Sequence, residues 1–405
     1  MTNLPQGWEV KKLGEIGEIV TGSTPSKSNL DFYGKDYPFF KPSDFEQGYF
    51  LENAGDNLSK LGFDKARQLP PKTILVVCIG SLGKVALTRV IGSCNQQINA
   101  IIPHKNIIAE YIYYYCISSK FQSILFSKAP QTTLAILNKT EFSKLEIIYP
   151  KDIKEQERIV GILDESFAKI DESIKILEQN LLNLDELMQS ALQKAFNPLK
   201  DNAKENYKLP QGWKWKSLGE IGEIITGTTP SKNNPNFYGN EYPLFKPSDL
   251  NGDMIIKYAS DNLSKLGFDN ARNLPKDTIL VVCIGASIGK VGLSGVNGSC
   301  NQQINAIIPN SAFTSKYLFF VCLSNYFQEI LKNNASQTTL PIINKTEFSK
   351  LQIPLPPIKE QEQITSHLDE LSSHVKNLKQ NYQAQIKDLQ ELKNSLLDKA
   401  FKGNL

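Results

Sequence analysis

The sequence predicts an α+β fold: mixed α/β globular domains joined to long α-helices. The expected arrangement is two pseudo-two-fold-related domains separated by an antiparallel two-helix coiled coil. Three observations predict it. Almost the whole 405-residue chain repeats once. Within each copy, β-branched runs ending at glycine alternate with helical spacings. Each copy then closes on a heptad seam about 40 residues long.

The repeat is explicit. "LPQGW" begins at Leu4 and Leu209, "GEIGEI" at Gly14 and Gly219, and "DNLSKLGFD" at Asp56 and Asp261. "CNQQINAIIP" begins at Cys94 and Cys300, and "QTTL" at Gln131 and Gln337, followed each time by "NKTEFSKL". The offset is 205 or 206 residues, the change coming from one extra residue near Ala286. A period this long is a domain duplication, since solenoid repeats run at roughly 20–50 residues. The expected boundaries are a globular domain at 1–150, a helix at 151–200, a second globular domain at 201–355 and a second helix at 356–405.

The elements follow in order. "TGSTPS" at Thr21 and "TGTTPS" at Thr226 are turn-rich loops. "TILVVCIG" at Thr73 and Thr278 reads as a buried strand ending at glycine, and "INAIIP" at Ile98 as another. "EYIYYYCISSKFQSIL" from Glu110 and "SKYLFFVCLSNYFQEIL" from Ser315 each read as one helix. The first seam is Leu163, Phe167, Ile170, Ile174, Leu177, Leu181, Leu184, Met188, Ala191 and Ala195, in alternating steps of four and three, and Pro198 ends it. The second, looser seam is Leu368, Leu371, Val375, Leu378, Tyr382, Ile386, Leu389, Leu392 and Leu396. An isolated helix with such a stripe requires a partner, and each seam is the simplest partner for the other. Connectivity then makes the pair antiparallel.

Composition is that of an ordinary globular protein, with 40% hydrophobic and 21% charged residues. No apolar run is long enough for a membrane helix, and the N-terminus lacks a secretory pattern. The six cysteines contain no C-x-x-C pair and read as free buried thiols. His367 and His374 lie seven apart on a helix, where a solvated face is the plainer reading than a metal pair. Net charge is +3, distributed unevenly. Residues 1–150 carry 16 basic and 13 acidic side chains, residues 208–355 carry 14 and 10, and residues 151–200 carry 7 and 10. The positive excess sits in the globular parts, as contact with a polyanion would need.

Together, "LPQGWEVKKLGEI", "G-x-TPS", "KPSD", "CIG-x-x-GKV", "NQQINAI", "QTTL" and "KEQE-x-I" before a long helix resemble the specificity subunit of type I restriction–modification enzymes. The resemblance covers the whole chain, twice. It implies two target-recognition domains, each reading one half of a bipartite double-stranded DNA site. It implies helices that fix the gap and dock two methyltransferase subunits, and restriction subunits that join this core. It further implies a cytoplasmic, non-catalytic chain without a cofactor, beside a methyltransferase using AdoMet and a restriction subunit using ATP and Mg. The residues agree: there is no D-P-P-Y or N-P-P-Y tetrad and no phosphate loop, since Val follows Lys84 and Lys290 where Ser or Thr would be needed. A non-DNA scaffold with two protein-binding modules on a helical rod is the rival reading.

Candidate DNA contacts come in pairs. The loop hydroxyls and lysines are Thr21, Ser23, Thr24, Ser26 and Lys27, with Thr226, Thr228, Thr229, Ser231 and Lys232. "KPSD" offers Lys41 and Ser43, with Lys246 and Ser248, although Ser or Asp there equally suits a cap. Lys84 and Lys290 follow glycine turns that suit a phosphate. Asn95 and Gln96, with Asn301 and Gln302, have amides able to pair adenine, or to satisfy buried backbone. Gln131, Thr132 and Thr133, with Gln337, Thr338 and Thr339, complete the set. The tyrosines Tyr111, Tyr113, Tyr114 and Tyr115 read as core. The "KEQE" starts and the "SALQKAF" and "SLLDKAF" ends, at Ser190 and Ser395, are candidate docking surfaces. Because the loops of both copies are nearly identical, the two half-sites are expected to be the same or nearly so. Differences concentrate at Phe45–Gly55 against Leu250–Ser260, at Ser81–Leu82 against Ala286–Ile288, and at Lys128–Pro130 against Asn334–Ser336.

Overall fold

The structure, a computed structural model, describes residues 4–129, 135–196, 209–251, 253–311, 313–336 and 340–405. The chain divides into two compact units, Met1–Leu177 with Gln383–Leu405, and Glu178–Tyr382.

In the first unit a five-stranded sheet has the order Gly17–Thr21, Ile98–Pro103, Ile74–Val77, Val85–Thr88 and Phe50–Leu51. Every pair is antiparallel except the last, Phe50–Leu51 beside Val85–Thr88, which is parallel. A three-stranded sheet sets Tyr33–Phe40 between Asp56–Leu58 and Ser93–Cys94, and Trp8–Lys12 pairs with Glu146–Pro150. The apolar run Ile74–Val77 is fully buried because both faces of its sheet are covered. Ile74 and Val76 point into one core with Tyr111, Phe121 and Phe142, while Leu75 and Val77 point into another with Phe40, Leu51 and Cys94. The second unit repeats this order strand for strand, with Ile279–Val282 at the centre.

Both expected strands appear, Ile98–Pro103 over its whole length. The single helix expected from Glu110 is two, Ala109–Ile117 and Ser119–Lys128. Ser118 breaks it: its hydroxyl donates to Tyr115 O at 2.7 Å and accepts from Phe121 N–H, capping the second helix. Ser324 does the same between Ser315–Leu323 and Asn325–Asn333. The spacing was helical throughout, so only the capping geometry marks the break.

The long helices run from Ile153 to Phe196 and from Ile358 to Ala400. Within each unit they are antiparallel. In the first, Lys393 pairs with Asp171 while Phe401, further along, meets Tyr111 and Tyr115 at ring distances of 5.5 and 5.1 Å beside the start of the other helix. In the second, Lys379 pairs with Asp185, and Leu192 and Phe196 share a core with Leu368. The first seam is buried or half-buried at every one of its positions. The second needs two corrections: Leu378 and Leu392 are 40% and 45% exposed, and Lys379 and Lys393 take the inward positions instead. A lysine stem packs apolar surface and delivers its ammonium to the rim, so a heptad read from apolar letters alone drifts by one at each site.

The helix starts and ends have structural duties. In "KEQE", the buried Gln156 amide accepts from Ile108 N–H and donates to Pro150 O, both at 2.9 Å, and Gln361 does likewise with Thr314 N–H and Pro356 O. The terminal Phe196 and Phe401 are buried in the cores. Lys154, Glu157, Ser190 and Ser395 remain exposed. Among the described residues no helix is long and apolar enough to cross a membrane, and no cluster of His, Cys, Asp or Glu could hold a metal. His367 and His374 are both exposed.

Candidate nucleic-acid interface

The two loops singled out by sequence meet in each unit. After the strand Gly17–Thr21 the chain turns back over the "CNQQIN" loop. Gly22 N–H donates to Ile98 O and Ser23 N–H to Cys94 O, both at 3.0 Å. The approach is so close that a β-carbon on Gly22 would lie 2.1 Å from Asn95 O. Thr21 Oγ1 donates to Asn99 Oδ1 at 2.6 Å and Thr24 Oγ1 to Gln96 Oε1 at 2.5 Å. The second unit repeats both bonds, Thr226 to Asn305 at 2.6 Å and Thr229 to Gln302 at 2.8 Å.

This geometry divides the candidates. Asn95 and Asn301 are buried and hold their own loop: Asn95 Oδ1 accepts from Gln97 N–H at 3.1 Å and its Nδ2 donates to Gln97 Oε1 at 2.8 Å, with the same pattern at Asn301. Thr21 and Thr226 are likewise spent on Asn99 and Asn305. Gln96, Gln302 and Thr24 are exposed, as are Ser26, Lys27, Ser231 and Lys232. Ser23, Thr228 and Thr229 are half-buried, and Thr228 Oγ1 accepts from Arg272 N–H at 3.2 Å. The amides of the decamer therefore build the loop, and only the second residue of each Asn-Gln-Gln faces water.

"KPSD" is chiefly a clamp. Asp44 accepts from Lys41 N–H at 2.7 Å and Gly55 N–H at 3.0 Å, and Asp249 from Lys246 N–H at 2.8 Å and Ser260 N–H at 3.0 Å. Lys41 pairs with Asp56, and Lys246 with Asp261. Burial, then the neighbouring Lys27 ammonium, lowers the Lys41 pKa. The hydrogen bond from Lys246, with Lys232 contributing from further off, holds the Asp261 carboxyl below its ordinary range. Positive charge thus gathers beside the loop, partly neutralised by one aspartate. Ser43 and Ser248 are exposed. Lys84 and Lys290 follow glycines at φ 89° and 93°, in the left-handed region. Lys84 meets Glu46 at 3.4 Å, an exposed pair of little strength, and Lys290 reaches Pro247 O at 3.5 Å. The six Gln-Thr-Thr residues, 131–133 and 337–339, lie outside the described residues.

Sequence reading missed Arg67 and Arg272. Each guanidinium reaches the loop, Arg67 Nη1 donating to Thr21 O at 2.9 Å and Arg272 Nη1 to Thr226 O at 2.7 Å. Their identical place in "DNLSKLGFD-x-AR" was the available signal.

One of the blocks in which the copies differ, Phe45–Gly55 against Leu250–Ser260, meets helices at its middle. Tyr49 stacks on Tyr113 at 4.1 Å, Tyr114 donates to Asp164 of the first long helix at 2.5 Å, and Asp253 pairs with Lys376 of the second at 2.6 Å. The tyrosine cluster is core, as its spacing indicated, and burial pushes the Tyr113 pKa up to about 12. All six cysteines are free and buried.

The family model described as "Type I restriction modification DNA specificity domain" matches residues 5–182 and again 210–388. The chain belongs to that family. Within it the chain is a DNA-recognition component and not a catalyst. It is 37% identical over 191 residues to the type I restriction enzyme HindI specificity subunit of Haemophilus influenzae, covering 46% of this chain and 42% of that one. It is 25% identical over 418 residues to the MjaIX specificity subunit of Methanocaldococcus jannaschii, covering 99% and 94%. In fold it matches a chain solved in a study of type I restriction–modification complex assembly, with TM-score 0.82 and 21% identity over the full length of both. The HsdS subunit from Thermoanaerobacter tengcongensis matches with TM-score 0.58 at 21% identity, over 100% of this chain and 98% of that one.

Proposed function

We propose that this specificity-family chain reads a bipartite duplex whose two half-sites are the same or nearly so, presented on opposite strands. Residues 1–150 and 201–355 act as the recognition domains, and residues 151–200 and 356–405 as the helices that set the gap and dock two methyltransferase subunits. The observation that carries this reading is the matched side-chain set on the two loop surfaces: Thr24, Ser26, Lys27, Ser43, Lys84 and Gln96 against Thr229, Ser231, Lys232, Ser248, Lys290 and Gln302. Equal donors and acceptors on equal scaffolds read equal base edges. The Gln-Thr-Thr segments are identical in sequence in both copies.

Chemistry belongs to the partners: base methylation to an AdoMet-dependent methyltransferase, and cleavage to a restriction subunit using ATP and Mg. The assembly works on cellular DNA in the cytoplasm. The test is a genome-wide map of modified bases in cells with and without this gene. One interrupted motif with matching arms is expected to vanish on deletion. Two unrelated arms would refute the equal-half-site reading. Binding of the assembled complex is also expected to weaken as salt rises, with a slope set by the phosphates neutralised.

A further inference from the structure

Only four of the 45 basic residues are arginine: Arg67, Arg89, Arg158 and Arg272. Two have evident structural partners. Arg89 donates to Glu52 at 2.9 Å and lies 3.7 Å over the Phe50 ring, and Arg158 makes two bonds of 2.7 Å to Glu155. The other two occupy equivalent positions in the two copies. Both are exposed, and neither pairs with a carboxylate among the described residues.

Backbone holds both in place. Ser93 Oγ donates to Arg67 O at 2.8 Å and Ser299 Oγ to Arg272 O at 2.9 Å, fixing the main chain. Nη1 is then spent on the Thr21 or Thr226 carbonyl, in the loop whose Thr24 or Thr229 holds Gln96 or Gln302. Tying one nitrogen restricts the guanidinium's swing. It leaves the Nε–Nη2 edge, two parallel donors on a rigid fork. A phosphate is neutralised as well by lysine, which the chain uses at every other basic candidate position. The parallel fork matches O6 and N7 of guanine in the major groove.

We infer that Arg67 and Arg272 each read a guanine, at equivalent positions of the two half-sites. This rests on the DNA-recognition reading above and names one base that it must include. The experiment is the modified-base map of cells carrying the full complex with Arg67→Lys or Arg272→Lys, repeated by selection from a randomised duplex library with the purified complex. Lysine keeps the charge and reaches the same carbonyl, but loses the fork. Arg67→Lys is expected to relax one G·C position in one arm only, its preference dropping from roughly 10- to 100-fold to a few-fold. Arg272→Lys should relax the matching position in the other arm. Thermal melting of each variant is followed in parallel. An unchanged motif overturns the inference. So does uniform weakening across all sequences with a shallower salt slope, which marks a phosphate contact. So does loss in step with a fallen melting temperature, which marks a loop strut. A wild-type complex with no motif at all would instead strike the recognition reading itself.

Discussion

Replacing Gly22 by alanine tests whether the loop-on-loop contact builds the interface. The new Cβ would lie 2.1 Å from Asn95 O and 2.3 Å from Cys94 O, where real Cβ atoms essentially never approach within 3.0 Å. Both obstacles are backbone, so the loop must retreat by about 1 Å. That carries Gly22 N–H to Ile98 O and Ser23 N–H to Cys94 O, now 3.0 Å each, out to about 4 Å, beyond hydrogen-bonding range. The Thr21–Asn99 and Thr24–Gln96 bonds go with them. Two buried bonds at about 1 kcal/mol each, plus part of the side-chain pair, give a loss of about 2–3 kcal/mol. A domain stable by about 5–15 kcal/mol survives that, with its melting temperature lowered by roughly 5–10 °C. Recognition should fail in one arm of the DNA site and persist in the other. Gly227→Ala should do the reverse, since its Cβ would lie 2.2 Å from Asn301 O. The assays are calorimetric melting and the modified-base map. Gly161→Ala is the control: this glycine sits in the first long helix with nothing within 4 Å of its Cβ, and the change should stabilise by up to about 1 kcal/mol. If Gly22→Ala melts and reads like the parent, the loop contact does not shape the surface.

Gln156→Ala removes a buried amide that serves Ile108 N–H and Pro150 O, leaving both unsatisfied, and should cost about 2–4 kcal/mol in urea titration. A loss below about 0.5 kcal/mol would mean the helix start is held by something else. Lys393→Ala removes the Asp171 pair and the ammonium 4.8 Å from the Phe167 ring. The aspartate is largely exposed, so the loss should be no more than about 1 kcal/mol and should shrink in high salt. A larger, salt-independent loss would point to packing of its stem. Burial pushes the Cys78, Cys94, Cys283 and Cys300 thiols up to about 12. A raised folded pKa gives stability that is full below the unfolded thiol value, about 8.5, and is lost as pH rises toward 12. The urea midpoint should therefore fall between pH 8 and pH 10, and iodoacetamide should leave the native thiols unlabelled at pH 8. Labelling of the native chain as fast as the unfolded one would contradict their burial.

Most of the fold was legible because its signals are local. The Ile74–Val77 and Ile98–Pro103 strands declare themselves by unbroken apolar letters, and the long helices by their steps of three and four. What escaped were features that depend on atoms rather than letters. Ser118 ends a helix by turning its hydroxyl onto Tyr115 O, within a stretch whose periodicity never falters. Lys379 and Lys393 occupy seam positions because a lysine can bury its stem while its ammonium meets an aspartate. In the candidate interface, residue types suggested polar contact, but only folding reveals which hydroxyls and amides are already consumed. Asn95 and Gln96 are adjacent and chemically alike, and one holds the loop while the other faces solvent.

That division sharpens what the duplication means for recognition. Identity between the copies at Thr21, Asn95 and Asn99 says nothing about the DNA read, because the loop cannot close without those side chains. The telling positions are exposed ones whose side chains are not wholly spent on the fold. Elsewhere such positions have parted freely: Asn53 against Tyr258, Lys72 against Asp277 and Lys128 against Asn334 are all exposed and all different. At the loop surface, Ser26, Lys27, Ser43, Gln96 and Arg67 are exposed and all retained in the second copy as Ser231, Lys232, Ser248, Gln302 and Arg272. Exposed side chains that keep free donors beyond their loop contacts, and match in kind across both copies, are what two surfaces need to touch the same chemical pattern. A single duplex with matching arms presents that pattern twice.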